Sequence, residues 1–391
     1  MSETYDILIA GGGVAGLTAA AAFGTEGRRV LCVDRAPADA GTRDTRTTAF
    51  LMPAIDLLKD AGVWPLLDGE TEALDIMRLI DAGGKMNEAR EIGDFAAREI
   101  TDSPFGWNVP NAAMRMALTT RIGQLSNVTL MHETAVDALT LRRDTAIAHL
   151  SSGTTARARL VIGADGRDSA VRDLAGIDAR RWSYGQKGLV FTVTHEESHR
   201  NVSTEIHRTG GPFTLVPMPD RDGMHRSSVV WMEQAGEADR LAALPDDAFS
   251  DVLNERSLGV LGALTPASPR AAWPIISLIA GRLTGPRVAL IAEAAHVVPP
   301  IGAQGLNMSL GDIAALMTAT AGEDPGHPAG LTQYQKRWRE LAARVAGVDA
   351  LNRAAQAEWQ PLRDLRRLGL GTLIRLRPAK HMAMRLGLGV R

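Results

Sequence analysis

The chain has 391 residues, 45% hydrophobic and 23% charged, with a net charge of -2; it has room for about two globular domains and excludes a nucleic-acid surface spread over the whole molecule. Its single cysteine, Cys32, sits in an apolar run as a small buried hydrophobe and excludes both an internal disulfide and a cysteine metal cluster. No basic stretch precedes the first apolar run and none approaches the ~20 residues of a membrane-spanning helix, so the expectation is a chain of the reducing cytoplasm.

The first elements are the most informative. Ile7-Leu8-Ile9-Ala10 predicts a strand, Gly11-Gly12-Gly13-Val14-Ala15-Gly16 a turn into an alanine-rich helix, and residues 29–33 a second strand ending at Asp34. Strand, glycine turn, helix and terminal acid together form a dinucleotide-binding fingerprint. Gly11 allows the tight turn, Gly13 lets the backbone approach a pyrophosphate, and Gly16 brings helix and strand close. Val14 and Ala15 open a helix whose N–H groups and partial positive charge face the phosphates. Asp34 stands where a carboxylate accepts both ribose hydroxyls, with Arg35 beside it. The fingerprint alone does not separate FAD from a nicotinamide dinucleotide.

Residues 38–48 are polar and contain Arg43, Asp44 and Arg46; an arginine here either reaches the pyrophosphate or is a solvated loop charge. Helical spacing follows over 49–58, and 73–100 reads as short strands broken by Gly83-Gly84, an excursion from the dinucleotide fold. Residues 111–125 return to helical spacing, with Met114, Leu118, Ile122 and Leu125 on one face. A strand at 128–131 and a hairpin of 135–141 with 146–150 come next. The wholly apolar Leu160-Val161-Ile162-Gly163 predicts a central parallel strand; it ends in Asp165-Gly166, and a helix starts at Ser169. Between Trp182 and Trp273 the period is mostly two, which predicts an antiparallel sheet in a second domain. Within it, His195-Glu196-Glu197-Ser198-His199 matches the H-E-x-x-H zinc pattern, but it ends a strand instead of lying on a helix and reads as a solvated strand end.

A strand over 287–291 runs into Ala292-Glu293-Ala294-Ala295-His296, then Pro299-Pro300 and Gly302-Ala303-Gln304-Gly305-Leu306-Asn307. The prolines fix this loop and the glycines bring its backbone close to something flat. A helix from Leu306 through Ala319 offers N–H donors to negative charge. His296 by itself reads as a core histidine. Residues 334–352 predict an amphipathic helix with Trp338, Leu341, Val345 and Val348 inward. From Arg363 onward, eight Lys/Arg residues stand against Asp364, interleaved with leucines and methionines.

Three motifs in this order resemble those of the class A flavoprotein monooxygenases: residues 11–16, Gly163-Ala164-Asp165-Gly166-Arg167-Asp168-Ser169-Ala170-Val171-Arg172, and Ala294-Ala295-His296 through Asn307. Asp44-Thr45-Arg46-Thr47-Thr48-Ala49, Trp182-Ser183-Tyr184-Gly185-Gln186, and Gly211-Pro212 with Leu215-Val216-Pro217 are similar to the ubiquinone-biosynthesis hydroxylases. The resemblance covers nearly the whole chain. It implies an α/β fold whose Rossmann-like, glutathione-reductase-like FAD domain is discontinuous, over 1–75, 98–178 and 275–350. It further implies an antiparallel substrate sheet from 76–97 and 179–274, and a basic helical segment over 351–391.

It also implies FAD, its pyrophosphate on the first helix, with Asp34 on the adenosine ribose, Arg46 near the phosphates, and Asp165 and Gly166 beside the pyrophosphate and NAD(P)H. Asn111 would touch the flavin's sugar chain, and Gly302, Ala303, Gln304, Gly305, Leu306 and Asn307 would line the isoalloxazine. Pro299 and Pro300 would wall its oxygen-reacting face. The implied reaction is hydroxylation of an aromatic ring, a polyprenylated phenol, by O2 through a flavin C4a-hydroperoxide, with NAD(P)H as co-substrate and no metal. The C-terminal segment would either meet a membrane surface or membrane-bound partner, or pack its leucines on the catalytic domain; assembly as a homo-oligomer or in a biosynthetic complex is left open. One departure stands out: the family's Gly-Asp before Ala-Ala-His is Ala292-Glu293 here, which moves the carboxylate expected on a ribityl hydroxyl. A non-catalytic, flavin-poor subunit therefore stays open, as does an NAD(P)-dependent dehydrogenase, which would leave the later motifs unexplained.

Overall fold

The structure is a computed structural model describing residues 4–41, 44–84, 88–356 and 360–388; Arg43 lies outside them. Its first layer is a sheet whose parallel core runs, in spatial order, Val288–Leu290, Thr155–Gly163, Thr4–Ala10, Val30–Val33 and Val128–Met131. Ile7, Leu8, Ile9, Val161 and Ile162 are fully buried, as expected of strands covered on both faces. Each such side chain contributes about 1.5–3 kcal/mol. The hairpin Val136–Leu141 with Ala146–Leu150 forms as its alternation predicts and pairs antiparallel with the start of Thr155–Gly163. The helix Val14–Thr25 is buried from Ala15 to Gly24, which its small alanine side chains allow.

Register sets the functional end of this sheet. Ala10 pairs with Gly163, so the glycine turn and the Ala164-Asp165 strand tip emerge side by side. Gly11 adopts φ +109°, and a Cβ there would overlap the Ala164 carbonyl. At Gly16 a Cβ would overlap the Gly11 carbonyl, and at Gly12 it would fall on the Asp34 carboxylate. Cys32 lies fully buried in Val30–Val33, and burial pushes its thiol up to about 12, so it is inert.

The second sheet has nine strands, with Ala179–His195 flanked by Met224–Gln234 and Ala271–Ala280. Its assigned pairings are antiparallel except that of Ile76–Asp81 with Val202–His207. Strand Ala271–Ala280 runs unbroken through residue 275 and pairs with His296–Val297, tying this sheet to the loop after the parallel core. Two helices, Ala235–Ala243 and Asp246–Ser257, interrupt the stretch read as mostly strand; Phe249 and Leu253 on the second seal one face of the sheet.

Other expectations need correction. The stretch 49–58 is a strand, Thr47–Leu51, followed by a helix, Met52–Asp60, with a proline in its first turn. That strand pairs with Gly106–Pro110, which also pairs with Glu72–Leu74, forming a third sheet whose partners lie too far apart in sequence for local periodicity to reveal. The expected helix over 334–352 is two, Pro328–Gln335 and Trp338–Ala355, and the helix expected to start at Leu306 spans Gln304–Ala319. His195 ends its strand as expected but is not solvated. His195 and His199 are both buried, His195 bonded to the Glu197 carbonyl and Ser227 and His199 to the Met218 carbonyl. Among the described residues no cluster could hold a metal ion.

The C-terminal helices Gln360–Arg375 and Arg377–Leu388 lie against the strands Ile76–Asp81 and Glu91–Ala96. Leu370, Leu373, Ile374 and Met384 pack with Phe95 and Phe105, and Lys380 bonds Glu99 at 2.7 Å. Leu368, Leu376 and Met382 instead stay exposed. No helix among the described residues is long and apolar enough to cross a membrane.

Candidate active site

The fingerprint helix begins at Gly13 with no side-chain cap and no acid in its first turn. Gly13 has no atom within 4 Å of where a Cβ would stand, so its approach is open. Asp34, at the next strand tip, is 9% exposed; its Oδ1 accepts the Ala36 N–H at 3.2 Å. Arg115, on the helix Asn111–Gly123, donates to the Gly12 carbonyl at 2.5 Å and to Asp34 Oδ2 at 3.4 Å. It clamps the glycine turn to the acid, a contact that no local sequence signal announces. Arg35 reaches the Asp165 carbonyl at 3.5 Å.

Asp165 is occupied within its own turn. Ser169 donates to Oδ1 and the Val171 N–H to Oδ2 at 3.0 Å, while Ser169 caps the helix Ala170–Leu174. Gly166, at φ +88°, completes the loop. Two arginines then tie this loop to the turn after Val288–Leu290. Arg172 donates to the Arg167 and Ala294 carbonyls at 3.1 and 3.3 Å, and Arg167 forks onto both oxygens of Glu293 at 3.1 Å.

The Ala292-Glu293 turn is strained, since Ala292 sits at φ +56°, a region that favours glycine. Asp312 Oδ2 accepts the Ala292 N–H at 3.2 Å and His296 Nε2 at 2.6 Å, and Asp312 Oδ1 accepts Arg337 Nε at 2.9 Å. Burial pushes the Asp312 carboxyl up, but His296 and Arg337 outweigh it and hold the group below the ordinary carboxylate value. His296 is 2% exposed, a core histidine as expected, and its Nδ1 has no partner. Ala292→Gly is expected to raise stability by about 0.5–1 kcal/mol, the left-handed penalty less the entropy of glycine. Thermal unfolding of the apoprotein checks this, and a lower midpoint would show that the Ala292 methyl contributes more by packing than its conformation costs.

Asn111 accepts from Thr48 Oγ1 at 2.8 Å and donates to Asp44 at 3.3 Å. Arg46 forks onto Asp44, at 2.7 and 2.8 Å, and lies over the Trp273 ring at 5.1 Å. The Asp44 hydrogen bond and charge raise the Arg46 guanidinium above its ordinary value against burial; burial pushes Asp44 up, but Arg46 holds it below its own. Asn307 is spent on structure, donating to the Ala49 and Ala303 carbonyls and accepting the Leu51 N–H. Gln304 donates to the Gly302 carbonyl at 3.0 Å. Ala303, at φ +55°, starts the helix Gln304–Ala319 with no side-chain cap, after Gly302 at φ +61°; Gly305 and Leu306 lie in its first turn.

A cleft of about 210 Å³ opens between this loop and the second sheet. Gly188, Val190, Val230, Trp273 and Ile275 line it from the sheet; Val297, Val298 and Pro300 line it from the loop. Arg46, Arg167 and Glu293 are its charged lining residues. Pro300 is exposed to the cleft, whereas Pro299 is buried behind it. Asp349, on the helix Trp338–Ala355, accepts from Trp182 Nε1 at 2.8 Å, Tyr184 OH at 2.6 Å and Arg353 at 2.9 Å. Burial pushes Asp349 up, but these donors pull it to about 2. With Gln186 bonded to Asn352, they seat the helix Trp338–Ala355 on the sheet and pack Ile301 against Val348.

Two uncapped helix N-termini that offer N–H donors, an acid at a strand tip that accepts, and a mainly apolar cleft suit an anionic dinucleotide with a flat ring. Residues 4–348 match the family model described as FAD binding domain. The chain is a class A FAD-dependent monooxygenase. This enzyme is 37% identical to the ubiquinone hydroxylase UbiL of Rhodospirillum rubrum over 99% of this chain and 90% of that one. It is 28% identical to the 3-demethoxyubiquinol 3-hydroxylase of Escherichia coli K12, each chain covered in full. In fold it is similar to the crystal structure of PqsL, a probable FAD-dependent monooxygenase from Pseudomonas aeruginosa. The TM-score is 0.78 at 23% identity, over 95% of this chain and 100% of that one.

Proposed function

We propose that this monooxygenase hydroxylates the ring of a polyprenylated phenol in ubiquinone biosynthesis, with NAD(P)H as reductant and O2 as oxygen source. The observation that carries this reading is the cleft: its sheet and loop walls are mainly apolar, Arg46, Arg167 and Glu293 are its charged lining, and the Asp-Gly loop and the 292–300 turn border it. The names of the two curated relatives support the pathway. In this reading, residues 1–75, 98–178 and 275–350 form a glutathione-reductase-like FAD unit and 76–97 with 179–274 carry the substrate sheet, whose strand Ala271–Ala280 crosses the boundary at 275 and joins the two.

Bound FAD would supply hydride acceptance from NAD(P)H and the delivery of one atom of O2 to the ring, the other leaving as water. The Gly11, Gly13, Val14, Ala15 and Gly16 backbone would hold its pyrophosphate, Asp34 the adenosine ribose, and Arg115 would keep that carboxylate in place. Arg46, which lines the cleft, would leave Trp273 and its fork onto Asp44 to meet the phosphates. Asp165 acts through shape, because both its oxygens are engaged by Ser169 and Val171. Glu293 serves first as the partner of Arg167 and meets a ribityl hydroxyl only by sharing an oxygen. The N-terminus of Gln304–Ala319 would favour negative charge on a reduced ring, and Val297, Val298 and Pro300 would exclude water.

The test is purification followed by turnover. We expect flavin absorbance bands, NAD(P)H oxidation stimulated by a short-chain prenylated phenol, and a ring-hydroxylated product carrying label from isotopic O2. Flavin-free protein with stable NAD(P) binding, or flavin-loaded protein that hydroxylates no phenol, would overturn the reading.

A further inference from the structure

We propose that the outward faces of the two C-terminal helices form a docking surface for an anionic lipid membrane. The inner faces are already used, by Leu370, Leu373, Ile374 and Met384 against Phe95 and Phe105, and by Lys380 on Glu99. What faces outward is unusual for a solvated surface: Leu368, Leu376 and Met382 are 60%, 54% and 64% exposed. Exposed arginines stand among them, Arg375 one heptad after Leu368, Arg377 next to Leu376, and Arg385 one turn after Met382. Residues 360–388 hold seven Lys/Arg against the single acid Asp364, in a chain whose total charge is -2. Concentrated positive charge with exposed leucine and methionine beside it matches a headgroup layer of negative charge over acyl chains, where the arginines stay at the phosphates and the apolar side chains enter the interface.

The surface is connected to the cleft. Gln304, at the start of the helix behind the cleft loop, donates to the Gly387 carbonyl at 3.3 Å, so the second C-terminal helix ends against that loop. A membrane bound here would lie next to the segment that borders the cleft. The inference does not depend on the substrate, because burial and charge alone carry it.

The experiment is flotation of the flavin-loaded, full-length enzyme with phosphatidylcholine vesicles, with and without phosphatidylglycerol, at low and high salt. The wild type is expected to float with the anionic vesicles at low salt, and to stay behind with pure phosphatidylcholine or at high salt. Leu368→Asn/Leu376→Asn/Met382→Asn and, separately, Arg375→Glu/Arg377→Glu/Arg385→Glu are each expected to lose at least tenfold in the floated fraction. These side chains are exposed, so both variants should keep the wild-type unfolding midpoint and flavin content. A wild type that stays soluble at low salt would overturn the proposal, and capture of an acidic protein instead would assign the surface to that partner. Equal flotation of the folded variants would also overturn it. The readout involves no turnover, so an enzyme that floats but hydroxylates no phenol would remove the functional reading and leave this one standing.

Discussion

Gly13→Val is expected to fold normally and to lose FAD, whereas Gly16→Val is expected to lose the fold. The two glycines lie three residues apart in one motif, and their surroundings are opposite. At Gly13 the backbone is extended, φ -71° and ψ 176°, which valine adopts readily, and no atom stands within 4 Å of the added Cβ. The cost to the apoprotein is that of a poorer N-cap, about 1 kcal/mol or less. The added methyls occupy the open space in front of the uncapped helix, where a pyrophosphate has to come close to backbone N–H groups. FAD affinity should therefore fall at least 100-fold, about 2.7 kcal/mol. At Gly16 the new Cβ would overlap the Gly11 carbonyl inside the turn, and the turn cannot yield because Gly11 is itself packed against Ala164. Unfolding of the apoproteins with FAD titration of the folded ones separates the cases. A Gly13→Val protein that keeps its flavin would remove this helix from the cofactor site.

That contrast shows what the sequence makes legible. The glycine turn is legible because two of its demands are local, a φ of +109° at Gly11 and the close approach of Gly16 to the Gly11 carbonyl, although Gly11 also packs against the distant Ala164. The tip of the strand at Asp165 is legible for the same reason, while its bonds to Ser169 and the Val171 N–H are made within the loop that follows. The residues that sequence reasoning missed act over distance. Arg115 meets Asp34 across 81 positions and Arg337 meets Asp312 across 25, so neither falls within a window that periodicity can scan. Residues 49–51 carry helical spacing yet lie in the strand Thr47–Leu51, because its partner strand starts at Gly106 and only that pairing makes extended backbone favourable there. At Ala292 the sequence announced a departure but not its form: the alanine keeps a left-handed turn that glycine would take more cheaply, and Glu293 reaches Arg167.

Asp312→Ala is expected to be the most destabilising single change near the cleft, at about 3–5 kcal/mol, because it removes one partner of a buried ion network and leaves the other behind. Asp312 is fully buried and accepts from three donors: the Ala292 N–H, His296 Nε2 and Arg337 Nε. Without it, His296 and Arg337 lose their acceptor in the core, and the strained Ala292-Glu293 turn loses the bond that fixes it. Asp312→Asn keeps the volume and one acceptor oxygen, so its loss should be smaller and should fall mainly on the charged pair with Arg337. The pH dependence follows from the sign of the shift. The native carboxyl titrates below the ordinary aspartate value of about 3.9, so the unfolded chain binds the proton first as pH falls. The stabilisation is then complete above that value and is lost as pH drops through the depressed native one. Urea unfolding of wild type and Asp312→Asn at pH 7, and again at successively lower pH, should show a gap that is constant near neutrality and narrows in acid. A gap that stayed the same at every pH would mean that the asparagine lacks packing or hydrogen bonds and that the Asp312 charge does not hold the turn.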